Sequence, residues 1–340
     1  MKLIEKWIKL FVLFLIIRLL PQIRKEHAEN EWKRFKRVLV FRLDNRFGNS
    51  ILILSLVQSI KESLPDVSID VMMTSSYVAL YNNHPAISSV IPYNQKYLFR
   101  NPIRFISLIN RLRRNNYDAI FSSNNPDSFS ASQAILCRLA TKNRRVGFAQ
   151  EKSSRFYSDI VKGNTNIHYS QSQFDLWRHF DKDAQYYPPK LYYIKKTDIS
   201  PKRNLLIWLG ARGDKILSET LVNSILRELK QHKIMYYLAL GPHDKKIAEN
   251  YKHSCKHEIH IIDLDLIELG RYFLDYKCII MPDTGPMHLV AALGIPLIQV
   301  FVNSSILQYG YMRGNRFIVD KKINGDILIQ FITQHVDQIA

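Results

Sequence analysis

The sequence predicts an α/β protein made of two doubly wound halves. Short apolar strands alternate with helical segments, which is typical of parallel sheets with right-handed crossovers. The alternation begins near Arg37, stops in a tyrosine- and proline-containing linker, and restarts near Leu205. The 340 residues are enough for two domains of ordinary size. Ligands of such sheets bind beyond the carboxyl ends of the strands, so we expect the site residues in a cleft between the halves.

The composition indicates a globular protein with an acidic partner. Hydrophobic residues make up 46% and charged residues 23%, which excludes a disordered chain. The net charge of +18 favours nucleic acid, an anionic membrane surface or a phosphorylated substrate. The three cysteines, Cys137, Cys255 and Cys278, have no metal-ligand spacing, which fits a reducing cytoplasm.

Residues 1–33 form a separate apolar and basic segment. Lys9 and Arg18 interrupt its apolar run and leave residues 10–17 uncharged, far short of the roughly 20 residues of a membrane span. The segment also lacks the cleavage site of a secretory signal. We expect a helix that lies in the membrane interface or docks on the protein's own surface.

The two halves are assigned to residues 34–190 and 191–325, followed by a C-terminal helix over residues 326–340. In the first half we predict a helix from residue 50 to about residue 63, a helix over 171–180, and strands at 37–43, 68–73, 88–92, 118–123 and 145–148. Residues 186–190 and 197–201 are typical of a linker. The second half has predicted strands near 205–209, 235–240, 258–262, 278–281 and 296–301.

Two of the turns after strands contain glycine next to charged residues. The turn at 44–49 has one glycine, not the three of a dinucleotide fingerprint, which disfavours a Rossmann oxidoreductase. The turn from Gly210 to Lys215 has two glycines and offers two cations, Arg212 and Lys215. Each charge-assisted bond to a phosphate contributes about 1.5–3 kcal/mol. The spacing is not that of a P-loop, and solvated loops are the alternative interpretation.

The sequence from Met281 to Gly294, which contains the third turn, predicts the end of a strand, a tight turn and the start of a helix. Pro286 falls in the predicted first turn of a helix. Proline is tolerated there because the backbone N–H groups of the first turn have no acceptor within the helix. The helix is therefore predicted to start beside Gly285, with Asp283 and His288 flanking a place for a phosphate. An ordinary capped helix is the alternative interpretation.

From about Arg37 to Phe301 the sequence resembles glycosyltransferase family 9, the bacterial lipopolysaccharide heptosyltransferases. The resemblance is carried by residues 38–48, 145–148, 210–215 and, most specifically, 282–288. It implies two Rossmann-like domains facing a cleft (GT-B type), with the acceptor on the N-terminal domain and the nucleotide sugar, ADP-heptose, on the C-terminal one. The implied donor-binding residues are Gly210, Arg212, Lys215, Asp283, Thr284, Gly285 and His288.

One departure from the family pattern concerns the general base. The family usually has Gly-Asp at the end of the first turn, whereas this chain has Gly48-Asn49. An amide cannot accept the proton of the acceptor hydroxyl. Asp44 is our first candidate for that role and Asp127 the second. The predicted catalytic residues are Asp44, Asn49, which occupies the position of the family's base, and Lys215. A second departure, at 301–305, affects details of donor recognition.

Two further patterns in the sequence concern metal and anion binding. Asp263-Leu-Asp265 is similar to a metal-binding Asp-x-Asp, but is better explained by a helix N-cap, and no metal is predicted. The run from 96 to 114 carries arginines and no acid, which is typical of a solvated helix, or of a surface for lipid phosphates or an anionic bilayer. Nucleic acid is disfavoured because no binding motif accompanies it. The arginines considered are Arg100, Arg104, Arg111, Arg113 and Arg114.

Together these patterns predict an inverting, metal-independent glycosyltransferase. Its co-substrate would be a nucleotide sugar, which the family resemblance implies to be ADP-heptose. Its acceptor would be an acidic glycolipid such as the lipopolysaccharide inner core. We expect a cytoplasmic protein that is peripheral on the inner membrane. Two alternatives stay open: transfer of another nucleotide sugar, or a non-catalytic binding protein, which Asn49 motivates.

Overall fold

A computed structural model of the protein describes residues 30–94, 101–194, 201–251, 258–311, 316–319 and 330. Its contacts define two compact units. The first contains the chain up to residue 45 together with 53–78 and 85–188. The second contains 189–340 and two short segments from the first half of the sequence, 46–52 and 79–84.

The first unit is built on a six-stranded sheet with strand order β3-β2-β1-β4-β5-β6. Every pairing in it is parallel, as the alternation of strands and helices predicts. The strands are Arg37–Arg42 (β1), Ser68–Thr74 (β2), Ser89–Tyr93 (β3), Ala119–Ser122 (β4), Arg144–Phe148 (β5) and Asp159–Val161 (β6). β6 was not predicted, because three residues give no readable periodicity.

The second sheet repeats this arrangement, with strand order β12-β11-β10-β7-β8-β9. It is also parallel throughout. Its strands are Arg203–Trp208 (β7), Tyr236–Leu240 (β8), Ile259–Ile261 (β9), Tyr276–Pro282 (β10), Leu297–Val300 (β11) and Arg316–Val319 (β12). The central strand β10 is a nearly continuous buried run, as expected for a strand covered on both faces.

Helices follow most of the strands. They are Phe47–Leu52 (α1), Leu54–Ser63 (α2), Pro102–Arg114 (α3), Ala131–Ala140 (α4), Tyr169–Arg178 (α5), Glu219–Gln231 (α6), Leu266–Leu274 (α7), Gly285–Leu293 (α8) and Ile306–Tyr309 (α9). α6 buries Val222, Ile225, Leu226 and Leu229, a helical spacing that turns one apolar stripe toward the sheet. Short 3-10 helices include Glu31–Arg34 and Gly213–Lys215.

The prediction of one helix from residue 50 to residue 63 was wrong. The structure has α1 and α2, which belong to different units. The Tyr81 hydroxyl donates to the Ser50 carbonyl, the acceptor that the Leu54 amide would use in an unbroken helix. A side chain inserted into the ladder in this way ends a helix early.

Several predictions for the chain ends lie outside the described residues. These are the N-terminal helix up to residue 29 and the C-terminal helix over 326–340, of which only residue 330 is described. In the part of the chain that the structure describes, no helix is both long enough and apolar enough to cross a bilayer.

Candidate active site

The strand order places two pairs of loops side by side. In each sheet the order reverses between two neighbours, β1 and β4 in the first and β7 and β10 in the second. Loops after such neighbouring strands diverge and leave a crevice, which is the usual ligand site of open α/β sheets. The loop after β7 carries Lys215, and the loop after β10 carries Asp283.

Lys215 and Asp283 meet at the switch point of the second sheet. The Lys215 Nζ lies 2.6 Å from the Asp283 Oδ2. The Asp283 side chain is 3% exposed and the Lys215 side chain 34%. The lysine thus neutralises a buried carboxylate while its own side chain stays partly exposed.

α8 begins directly beyond this ion pair. β10 ends at Pro282 and α8 starts at Gly285, with Pro286 in the first turn, which confirms the predicted helix start. The N-cap residue Thr284 makes no side-chain cap, because its hydroxyl donates to the Pro282 carbonyl at 3.3 Å. The Thr284 side chain therefore leaves the helix start uncapped, and the partial positive charge there is suited to an anion.

His288 is a neutral imidazole at pH 7. It is 5% exposed, and burial lowers its pKa to about 4, an effect that Asp283 opposes and Lys215 reinforces. Its Nδ1 lies 2.9 Å from the Tyr311 hydroxyl oxygen. Gln299 holds Tyr311 in place, accepting from its backbone N–H at 2.9 Å and donating to its carbonyl at 3.0 Å.

The segment after β11 also supports the lysine. The Lys215 Nζ lies 5.4 Å from the centroid of the Tyr309 ring, within cation–π range. Asn303 donates from Nδ2 to the Asp214 carbonyl at 3.1 Å. Sequence reasoning singled out this segment only as a departure from the family pattern, and missed Gln299, Tyr309 and Tyr311.

Gly210 and Arg212 lie beside Asp244, and the Arg212 carbonyl accepts from the Lys215 backbone N–H at 3.3 Å. A Cβ at Gly210 would lie 2.7 Å from both the Asp244 Oδ2 and the Trp208 Nε1, so the loop needs glycine there. Burial raises the pKa of Asp244, and the positive charge of Arg212 counteracts the shift. The predicted donor residues therefore form two clusters, one around Asp283 and one around Asp244.

α1 packs against the start of α8 within the second unit. A Cβ at Gly48 would lie 2.5 Å from the His288 Cδ2, and a Cβ at Gly285 would lie 2.6 Å from the Phe47 Cδ1. Asn49 follows Gly48 on α1 and is 6% exposed. The residue that departs from the family pattern is thus buried on a helix that touches the His288 ring.

The two candidate carboxylates lie in the first unit, in loops after β1 and β4. Asp44 accepts from Arg42, with 3.2 Å from Nε to Oδ1 and 2.7 Å from Nη2 to Oδ2. Arg42 also donates to the Asn125 Oδ1 at 2.7 Å, which ties the two loops together. Asp127 is exposed and accepts from the Tyr169 hydroxyl at 2.9 Å.

α3 carries most of the arginines singled out in the run from 96 to 114. Its core face contains Ile109 and Leu112, whereas Ile103 is 79% and Ile106 58% exposed. The arginines on α3 are Arg104, Arg111, Arg113 and Arg114. Arg100 lies outside the described residues.

The Asp-x-Asp motif serves as a helix cap. The Asp265 Oδ1 accepts from the backbone N–H of Ile267 at 2.8 Å and of Glu268 at 2.9 Å. Glu268 completes a capping box, which confirms the N-cap interpretation. The described histidine, cysteine, aspartate and glutamate residues form no group of three or more that could hold a metal ion.

The fold and these motifs are those of a glycosyltransferase. A model of glycosyltransferase family 9 (heptosyltransferase) matches residues 105–324. The chain therefore belongs to this family, as the sequence resemblance predicts.

Individual relatives agree with this assignment. Lipopolysaccharide heptosyltransferase 1 of Campylobacter coli is 23% identical over 342 residues, with 89% of this chain and 93% of that protein covered. Escherichia coli heptosyltransferase WaaC with ADP has 20% identity and a TM-score of 0.62, covering 89% of this chain and 99% of that one. The E. coli ADP-heptose lipopolysaccharide heptosyltransferase II has 16% identity and a TM-score of 0.70, with the same coverage of 89% and 99%. The structural likeness confirms the predicted GT-B fold class.

Proposed function

We propose that the protein transfers a heptose from ADP-heptose to the lipopolysaccharide inner core or a similar acidic glycolipid. The observation that carries this proposal is the partly exposed Lys215 side chain, held by Asp283 beside the start of α8. A cation beside a helix start is suited to the diphosphate of a nucleotide sugar. The donor is supported by family membership and by a structural relative described with ADP.

The reaction we propose is an in-line displacement that inverts the anomeric carbon. The acceptor oxygen forms a bond to that carbon while the bond to the donor phosphate oxygen breaks. The departing ADP takes the electron pair, and a carboxylate takes the proton of the acceptor hydroxyl. The charge that develops on the diphosphate would be stabilised by Lys215, Arg212 and the start of α8, in place of a metal ion.

Lys215 is suited to this role because its present partner can be exchanged. Its ion pair with Asp283 joins a buried carboxylate to a partly exposed ammonium group, which has further N–H donors. A phosphate oxygen could therefore bind the ammonium while Asp283 keeps its orientation. The neutral His288, supported by Tyr311 at 2.9 Å, would add a donor without adding charge.

Asp44 is our proposed general base, on the first unit. Its ion pair with Arg42 fixes the carboxylate in one orientation, and a carboxylate is a group that can take up the proton of a hydroxyl. The same unit would hold the acceptor.

We also propose that the protein binds the membrane surface. The positive charges on α3 would attract the anionic lipids; they are Arg104, Arg111 and Arg114. Residues 1–33 would lie in the membrane interface, which makes the protein peripheral on the cytoplasmic side of the inner membrane.

Calorimetric titration with ADP, UDP, GDP and CMP tests the donor site. We expect ADP to bind most tightly, and Lys215→Met to weaken its binding at least tenfold, since about 1.5–3 kcal/mol is lost with a charge-assisted bond. Lys202→Met is the matched control, because Lys202 is exposed and precedes β7 at the other edge of the sheet. A preference for another nucleotide, or equal effects of the two substitutions, would refute the proposed donor site.

A further inference from the structure

A cavity lies at the opposite edge of the first sheet from the loops of Asp44 and Asp127. Its volume is about 750 Å³. It is bordered by the ends of α3 and α4 and by the start of β5, that is, by the amino-terminal edge of the strands. The proposed transfer chemistry uses none of the elements at this edge except α3.

The cavity is strongly basic. Four of its nine lining residues are cationic and none is acidic. The cations are Arg113, Arg138, Lys142 and Arg145. Like charges gathered in one concave site repel one another and concentrate anions.

The buried arginine of this group bonds neutral acceptors. Arg145 is 3% exposed, and its guanidinium donates to the Phe156 carbonyl at 3.0 Å and to the Thr141 carbonyl at 2.9 Å. Burial lowers the pKa of Arg145, and the nearby charge of Arg138 lowers it further, while Asp159 acts in the opposite direction. The hydrogen bonds fix the side chain, and among the described residues no carboxylate forms an ion pair with it.

Arg138 adds to this excess charge. Among the described residues it has no hydrogen-bond or ion-pair partner, and its described electrostatic neighbour is Arg145, another cation. Arg113 uses its Nε to bind the Leu139 carbonyl at 2.8 Å, which holds its guanidinium at the rim. Repulsion between these neighbouring positive charges destabilises the protein when no anion is bound. An anion with several acceptor oxygens would relieve this repulsion.

We propose that this cavity binds the phosphate group of an anionic phospholipid. The phosphate is indicated by three guanidinium groups, which match its geometry. The lipid as its source is indicated by α3, where Ile103 and Ile106 are exposed on the helix whose last turn carries Arg113, about 10–15 Å away along the helix axis. These apolar side chains could enter the acyl boundary while the phosphate is bound. For this lipid source the inference rests on the membrane association proposed above.

The test uses the full-length protein and two double variants that each remove two positive charges. Arg138→Gln/Lys142→Gln changes the cavity, and Lys152→Gln/Lys182→Gln changes exposed lysines elsewhere on the first unit. Melting temperatures are measured with and without inorganic phosphate at constant ionic strength. Sedimentation is measured with phosphatidylcholine vesicles that contain or lack phosphatidylglycerol.

We expect phosphate to stabilise the wild type and the lysine control more than the cavity variant, and the cavity variant to lose at least half of its vesicle binding. In phosphate-free buffer Arg138→Gln alone should melt above the wild type, because it removes a repulsion. Equal responses of the two double variants to phosphate would overturn the site. A cavity-dependent response to phosphate without any vesicle dependence would overturn the lipid source. Neither readout uses ADP-heptose, so failure of the proposed transfer reaction would be seen separately.

Discussion

Asn49 stands where the family resemblance implies an aspartate, and it is buried beside the glycine that touches His288. We expect Asn49→Asp to raise kcat about tenfold or more, because general-base catalysis typically contributes about 10²–10⁴-fold. The substitution keeps the shape of the side chain and adds one negative charge. Single-turnover transfer of heptose to lipopolysaccharide measures the effect.

Two further variants make this prediction specific. Asn45→Asp adds the same charge at an exposed place in the same loop and should leave kcat unchanged. Asp44→Asn should lower kcat at least 10²-fold if Asp44 is the present base, and Asn49→Asp should rescue it. Full activity of Asp44→Asn would shift the role to Asp127, and no transfer by any variant would favour the non-catalytic binding protein.

The individual site residues differ in how far the sequence could predict them. Lys215, Asp283 and His288 follow strands within recognisable motifs, and the structure brings all three to the start of α8. Tyr309 and Tyr311 were missed, because an isolated tyrosine in a loop carries no periodic signal. Their contacts to Lys215 and His288 arise only when β10 and β11 pair.

At the scale of elements, the close packing of α1 and α8 makes a prediction about glycine. Gly285→Ala should lower the free energy of unfolding by about 1–3 kcal/mol, the usual cost of overpacking. Alanine improves helix propensity by about 1 kcal/mol, but its Cβ would lie 2.6 Å from the Phe47 ring, and the clash outweighs that gain. Urea unfolding measures the change.

Gly241→Ala is the matched control for this substitution. Its Cβ would lie 3.6 Å from the Asp244 Oδ2 and 3.7 Å from Trp208, which is ordinary contact. We expect it to alter the stability by less than about 1 kcal/mol. Equal stabilities of the two alanine variants would contradict the described packing of α1 on α8.

At the scale of the whole molecule, two buried histidines make stability depend on pH. Burial lowers the pKa of His84 to about 4 and that of His288 to about 4. Between about pH 6.5 and 4 the unfolded chain therefore binds protons that the native protein does not, and the free energy of unfolding falls as the pH drops through this window. Each histidine contributes at most ~1.4 kcal/mol per pH unit.

His84→Gln isolates one of these contributions. The His84 ring stacks edge-on against Tyr192, 4.9 Å away, so the variant should be less stable than the wild type at about pH 7.5. That difference should shrink at about pH 5, because glutamine does not titrate. Parallel stability curves, measured by urea unfolding, would contradict the lowered pKa.

The alternation of strands and helices was sufficient to predict two parallel α/β units, and the identical strand orders agree with it. It was not sufficient to assign residues 46–52 and 79–84 to the second unit. Their membership depends on long-range contacts, such as that between Gly48 and His288. Periodicity along the chain reports which face of an element is buried, but not which sheet covers it.

The chain passes between the two units at 45/46, 52/53, 78/79, 84/85 and 188/189, and this interleaving limits how the enzyme can be recombined. A chimera joined near residue 188 would take its second sheet from this protein and α1 from the other parent. Gly285 would then pack against the other parent's helix instead of against Phe47. An exchange of the proposed donor site between relatives therefore requires that residues 46–52 and 79–84 be transferred together with 189–340, as three sequence segments of one structural unit.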